Sequence, residues 1–229
     1  MANFSTTISG NDVNFDFLFQ PIVNQQSLKV IGFECLSNVD VSLSNMSKEN
    51  LFESMPKNSL KKLIELQLNE LANLENCDLL FSVNIPASLV IDKEFFGKII
   101  QGVTYKLAFE ITDFDISKSQ IPLLKKQVEK YQESLSLSFW LDDFIPNNMF
   151  IDICHSIPWD IIKFDKSVIN DLTQFNKALS IVNSIKKDNT TGIIVEGIED
   201  NHQHLTLNGH GTLAQGFLYG RPKNIRSYF

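Results

Sequence analysis

Short apolar or β-branched runs alternate along this chain with longer stretches whose apolar residues recur at helical spacing. Eight such runs are predicted as strands: Phe17–Val23, Val30–Leu36, Leu79–Ile85, Leu107–Ile111, Leu137–Leu141, Ile161–Phe164, Gly192–Val195 and Leu213–Leu218. Between them, Ser59–Asn76 places Leu60, Leu63, Ile64, Leu66, Leu68, Leu71 and Leu74 so that polar residues keep one flank, which predicts an amphipathic helix. Lys118–Glu133, Ala178–Asp188 and the shorter Asn201–Asn208 read the same way. Strands alternating with helices favour a parallel sheet, and eight strands at this length favour an α/β fold closed as a (βα)8 TIM-like barrel. The first two strands are separated only by the few residues around Asn24–Lys29, too few for a crossover helix. The expectation is therefore a modified barrel with an antiparallel first strand.

Barrel enzymes carry their chemistry at the C-terminal ends of the strands, and here those ends are polar. Glu34, Asn84 and Glu110 stand late in strands two, three and four, while Asp142 and Asp143 end strand five. Lys163 lies in strand six, Glu196 closes strand seven and Gln215 falls in strand eight. Any one of these alone is as well explained as a strand-end cap or half of an ion pair. A carboxylate inside an apolar run is costly without a partner, and several strands repeating the feature call for a shared one. Oxygen donors from Glu, Asp and Asn suit Mg²⁺ or Mn²⁺. The adjacent aspartates suggest two divalent ions, an arrangement that stabilises both the attacking and the leaving oxygen of a phosphodiester. Lys163 would then orient or deprotonate the attacking water, or stabilise charge on a phosphoryl oxygen.

Charge narrows the ligand. Twenty Lys and Arg against 27 Asp and Glu give a net charge of −7, which repels a nucleic acid polymer, so a phosphate ester bound here needs local neutralisation. The 229 residues fit one domain, expected at 15–229 behind a short N-terminal extension, 1–14. The polar start lacks the features of a secretory signal, no apolar run reaches membrane-span length, and Cys35, Cys77 and Cys154 show no metal-ligand spacing. A cytoplasmic setting without membrane contact is the simplest expectation. There is no glycine-rich phosphate loop and no Gly-x-Ser-x-Gly elbow.

From Phe17 to Pro222 the chain resembles the EAL domain family of bacterial cyclic di-GMP phosphodiesterases. The resemblance rests on Phe19-Gln20-Pro21-Ile22-Val23, Gly32-Phe33-Glu34-Cys35-Leu36, Ser82-Val83-Asn84-Ile85 and Phe109-Glu110-Ile111-Thr112-Asp113. It continues through Leu141-Asp142-Asp143-Phe144, Ile162-Lys163-Phe164-Asp165, Val195-Glu196-Gly197-Ile198-Glu199 and Gln215-Gly216-Phe217-Leu218-Tyr219-Gly220-Arg221-Pro222. The resemblance implies hydrolysis of cyclic di-GMP to linear pGpG on a barrel with an antiparallel first strand. It implies that Glu34, Asn84, Glu110 and Asp142 hold one metal, and that Asp142, Asp143 and Glu196 hold the second. Lys163, Glu196 and Glu34 would be catalytic, with Lys163 on the hydrolytic water. Gln20, Gln215, Pro222, Asp165 and Glu199 would bind the nucleotide or support the site.

Three positions depart from the family pattern. Phe144-Ile145-Pro146-Asn147-Asn148-Met149-Phe150 replaces a glycine-hinged loop that the family ties to its dimer interface, removing positive-φ positions. Asp113 stands for a loop-anchoring Glu, one methylene shorter, and Asn38 stands for an Arg that contacts a ligand phosphate. A charge-assisted contact worth roughly 1.5–3 kcal/mol is lost there if nothing replaces it. These departures motivate an alternative: a catalytically impaired relative acting as a cyclic di-GMP receptor or protein-interaction regulator. A homodimer or regulatory protein partner is left open.

Smaller signals have plainer readings. Strand alternation turns Cys35 away from Glu34 into packing. His202 and His204, two apart on a helix, cannot share a face as ligands and are expected to be solvated, as are His155 and His210. Most of the eighteen Phe are expected in the core, with Phe217 and Tyr219 the exceptions near a ligand mouth.

Overall fold

The computed structural model describes residues 4–8, 11–39, 48–74, 78–134, 137–185 and 191–228. Its strands are β1 (Phe4–Ile8), β2 (Asn11–Asn24), β3 (Val30–Val39), β4 (Leu80–Ile85), β5 (Leu107–Ile111), β6 (Leu137–Phe144), β7 (Ile161–Phe164), β8 (Gly192–Val195) and β9 (Leu213–Gln215). The helices are α1 (Lys48–Glu53), α2 (Lys57–Ala72), α3 (Ala87–Val90), α4 (Lys93–Ile99), α5 (Ile121–Ser134), α6 (Asn148–Ser156), α7 (Lys166–Ile169), α8 (Leu172–Ile185) and α9 (Asn201–Thr206). Strands β2 to β9 are neighbours in sequence order, and a β2–β9 pairing closes them into an eight-stranded barrel. Strand β2 runs antiparallel to both β3 and β9, and the pairings from β3 to β9 are parallel.

The β2–β3 connection is closed locally. The Asn24 side chain accepts from the Ser27 amide at 2.9 Å, its carbonyl accepts from the Leu28 amide, and Leu28 adopts φ 56°. A turn this tight can only reverse the chain, so β2 enters the barrel upside down. The segment expected to be a mere extension supplies β1, which adds antiparallel to β2 outside the closed barrel. The predicted last strand is shorter than expected, because the chain turns at Gly216. The Tyr219 and Gly220 amides donate back to the Gly216 carbonyl, and the Leu218 amide leaves the strand for the Ile198 carbonyl. The ends of the helices expected at Ser59–Asn76 and Ala178–Asp188 fall partly outside the described residues, as does Cys77.

Strand alternation separates two cores. Phe33, Cys35, Phe81, Val83, Ile85, Phe109, Ile111, Phe139, Leu141, Phe164 and Val195 face the helices in one large apolar cluster. Ile22, Ala108, Trp140 and Ile194 form a second, smaller cluster inside the barrel, with Leu80, Ile161 and Leu213 packed on it. This inner plug fills one end of the barrel. One step of two residues further along each strand reaches the other end.

Candidate active site

That step is polar on strand after strand. Ala108 leads to Glu110, Trp140 to Asp142, Ile161 to Lys163, Ile194 to Glu196 and Leu213 to Gln215. In β2 the order is inverted, Gln20 preceding Ile22, as an antiparallel strand requires for both to join the same layers. Register places Gln20 opposite Glu34 and Asn84 opposite Glu110. Period-two alternation plus one reversed strand thus gathers these side chains at the C-terminal mouth of the barrel, above an apolar floor.

Lys163 is the centre of the layer. Its ammonium lies 2.5 Å from Glu110, 2.6 Å from Glu196, 3.0 Å from Asp142 and 3.6 Å from Glu34. The Asp142 contact is an ion pair, and among the described residues Asp142 Oδ1 has no partner in hydrogen-bond geometry. Glu34 is held on two sides, accepting from Asn84 Nδ2 at 2.9 Å and from Gln215 Nε2 at 2.6 Å. Gln215 Nε2 also lies 3.3 Å from Gln20 Oε1, and Gln20 donates to the Gly220 carbonyl. Glu34, Glu110, Asp142, Lys163 and Gln215 are all buried.

Asp143 reaches the same place by a different device. Simple alternation would turn it away from Asp142, but the β6–β7 register slips between Leu141 and Phe144, and Asp143 takes φ 50°. A carboxylate oxygen of each of Asp142, Asp143 and Glu196 then lies within 4.8 Å of the others. The loop after the aspartates keeps order without glycine. Phe144 packs edge-on against Phe150, the Pro146 carbonyl accepts from Lys177, and the Asn147 side chain caps α6 through the Phe150 amide. Asp143, not a glycine, carries the positive φ on this segment.

A cavity of about 400 Å³ opens over the layer, lined by Gln20, Glu34, Asp143, Asp165, Glu196, Glu199 and Gln215 among the expected residues. Asn84, Glu110, Asp142 and Lys163 are not on its wall but contact Glu34 or Glu196, which are, directly or through Lys163. Pro222 is half-buried and does not line it; the backbone bonds between Phe19 and Lys223 carry Pro222 alongside β2 instead. Lys166, Gly197 and Gly216 line it and were missed. Lys166 directly follows Asp165 at the end of β7, so its place at the mouth was readable from the strand boundary. Gly216 is required by packing, since a Cβ there would sit 2.2 Å from the Ile198 carbonyl oxygen. Phe217 is on the cavity wall as expected, with Arg221 4.0 Å over its ring. His204 is not solvated: it is half-buried and bonds the Tyr219 hydroxyl at 2.8 Å through Nδ1. Asn38 donates to Asp16 at 2.7 Å, and Cys35 is fully buried on the helix side.

Burial dominates the protonation of the layer. It pushes Glu110 well above the usual carboxylate range and raises Asp142, with Glu34 adding repulsion and Lys163 opposing. Burial, then the Asp142 charge, raises Asp143 to about 6; burial raises Glu196 to about 8 although Lys163 pulls it down. For Lys163, burial alone would lower the pKa, but Asp142, Glu110, Glu196 and Glu34 together raise it well above its ordinary value. The donor set fits hard divalent cations. Five carboxylates against one ammonium leave four negative charges, the number two divalent ions match, and Asn84 Oδ1 and Glu110 Oε1 are buried without a hydrogen-bond partner among the described residues.

These shifts give a signed pH dependence. Carboxylates with raised pKa bind more protons folded than unfolded, so the metal-free protein loses stability from this layer as pH rises from about 4 toward 8. Metal binding needs the deprotonated groups, so it should stabilise most where the metal-free protein is weakest. Adding saturating Mn²⁺ should raise the melting temperature by roughly 5–10 °C at pH 8 and by only about 1–2 °C at pH 5. Equal shifts at both pH values in a thermal melt would contradict this assignment of the layer.

Among the described residues no helix is long and apolar enough to cross a membrane. The chain's fold is shared with solved EAL structures. An EAL domain protein from Listeria monocytogenes matches with TM-score 0.69 and 23% identity over 93% of this chain and 90% of that one. A standalone EAL protein from Vibrio cholerae O395, in its c-di-GMP bound form, matches with TM-score 0.69 and 20% identity over 92% of each chain. Klebsiella pneumoniae BlrP1, in a manganese/cy-diGMP complex, gives TM-score 0.71 and 18% identity over 97% of this chain and 58% of that one. Among curated proteins, the probable cyclic di-GMP phosphodiesterase PdeN of Escherichia coli K12 is 23% identical over 91% of this chain and 43% of its own length. An uncharacterized protein of Sinorhizobium fredii is 30% identical over 52% of this chain and 16% of its own. The chain thus spans less than half the length of the curated relatives it matches. The EAL domain family model matches residues 2–222, nearly the whole chain. With that match added to the reversed first strand and the acidic mouth, the chain belongs to the EAL domain family.

Proposed function

We propose that this protein is a metal-dependent phosphodiesterase that hydrolyses cyclic di-GMP to linear pGpG. The observation that carries the reading is the cluster of Glu34, Glu110, Asp142 and Glu196 on the buried Lys163 at the mouth of the barrel, with Asp143 beside it on the cavity. Family membership and relatives whose names carry cyclic di-GMP support the substrate.

In this reading Glu34, Asn84, Glu110 and Asp142 would hold one Mg²⁺ or Mn²⁺, and Asp142, Asp143 and Glu196 would hold the other. Two such ions supply Lewis-acid polarisation of the phosphoryl oxygen and lower the pKa of bound water. Gln215 and Asn84 fix both Glu34 oxygens, so the carboxylate presents a set orientation. Lys163 would orient or deprotonate the attacking water, or donate from Nζ to a phosphoryl oxygen. Glu196 touches Lys163 and also lines the cavity, so it would join the metal set to the place where the attacking water is held. Water's oxygen bonds phosphorus, one P–O ester bond of the ring breaks, and the released oxygen ends as the hydroxyl of the linear product. Gln20, Asp165, Glu199 and Gln215 line the cavity that would take the nucleotide, and Pro222 lies off its wall.

A receptor without turnover is the second reading, favoured by Asn38, whose side chain bonds Asp16 in place of a cation. Incubation with cyclic di-GMP and Mg²⁺ or Mn²⁺, followed by chromatography, separates the two. The phosphodiesterase reading expects pGpG; binding by calorimetry without pGpG under either metal would leave only the receptor.

A further inference from the structure

We propose that Lys166 is the cation on the cavity wall that receives a phosphate of the ligand, and so sets affinity for the negatively charged dinucleotide. The inference rests on the cyclic di-GMP reading above and adds a residue to it. The described wall carries five carboxylates, from Glu34, Asp143, Asp165, Glu196 and Glu199, and Lys166 is its sole cation. Ions held deep in the layer can neutralise phosphate only where it faces the floor. A ligand with two phosphates presents charge to the walls as well, and there it meets Asp165 and Glu199 unless Lys166 intervenes.

The placement of Lys166 is built rather than incidental. Its stem lies against Gly197 so closely that a Cβ on that glycine would sit 2.3 Å from Lys166 Cβ, and Gly197 adopts φ 68°, which suits glycine. The preceding Asp165 accepts from the Ser167 amide and starts α7, fixing the backbone from which Lys166 projects. Among the described residues no ion pair ties up Lys166, although carboxylates share its wall, so its ammonium is available to a ligand; Arg221, by contrast, stacks on Phe217. Asn38 contributes no charge and is bonded to Asp16.

The test is steady-state turnover and calorimetry of cyclic di-GMP with Mn²⁺ on wild type, Lys166→Ala and Lys166→Arg. Lys166→Ala should raise KM and Kd roughly tenfold with kcat within about threefold, flatten the salt dependence of binding, and leave the melting temperature unchanged. Lys166→Arg should restore affinity. Equal Kd and equal salt dependence for Lys166→Ala and wild type would overturn the Lys166 role while leaving the phosphodiesterase reading intact. Failure of wild type itself to bind the dinucleotide would overturn both.

Discussion

Replacing Lys163 with Met should destabilise the metal-free protein by about 3–5 kcal/mol at pH 8, the cost of stripping buried charges of their partner. Met fills a similar volume, so the loss comes from electrostatics rather than a cavity. Four carboxylates, from Glu34, Glu110, Asp142 and Glu196, touch this one ammonium, and without it the only relief is to take up protons. Proton uptake is free at low pH and expensive at high pH, so the penalty should shrink markedly by pH 5. Mn²⁺ should restore much of the lost stability, because it neutralises the same oxygens. The wild-type and Lys163→Met melting temperatures, compared at pH 5 and pH 8 with and without the metal, check each part. A penalty of the same size at both pH values would mean that Lys163 acts as packing alone.

The second large effect separates activity from stability. Asp142→Asn keeps shape but removes the carboxylate common to both proposed metal positions, and should reduce pGpG formation at least about a thousandfold. The same change should make the metal-free protein more stable at pH 8, since it deletes a buried carboxylate whose pKa is raised by burial and repulsion. Activity falling while the metal-free melting temperature rises is the signature of a site held against its own repulsion for function. A variant that lost both together would point to a structural role for Asp142.

Much of this was open to sequence reasoning because barrel strands obey a strict period of two. The eight runs, the reversal at Asn24–Lys29 and the polar residues from Glu34 to Gln215 all follow from alternation and connection length, which are local properties. What escaped were features set by non-local contacts. Strand β1 is polar in sequence and exists through its pairing with β2. The last strand stops at Gln215 because Gly216 must pack on Ile198, a neighbour distant in sequence. Asp143 was named from the sequence, but the device that brings it to the site, a slipped register and a left-handed residue, was not, since alternation alone would have turned it outward. The loop at 144–150 looked impaired by its missing glycines, yet Asn147 converts it into a capped helix start. The His204–Tyr219 bond depends on what faces His204 across the loop, and no spacing rule carries that information, whereas Lys166, directly after Asp165 at the end of β7, was within reach of the strand-boundary argument.

Everything turns on whether paired cations occupy the acidic mouth. Crystals grown with Mn²⁺ and measured at the manganese absorption edge test this directly. Two anomalous peaks should appear, bounded by Glu34, Asn84, Glu110, Asp142, Asp143 and Glu196, with the Lys163 ammonium drawn away from at least one of its present carboxylate partners. No peak at saturating Mn²⁺, with Lys163 still bridging Glu110 and Glu196, would contradict the account.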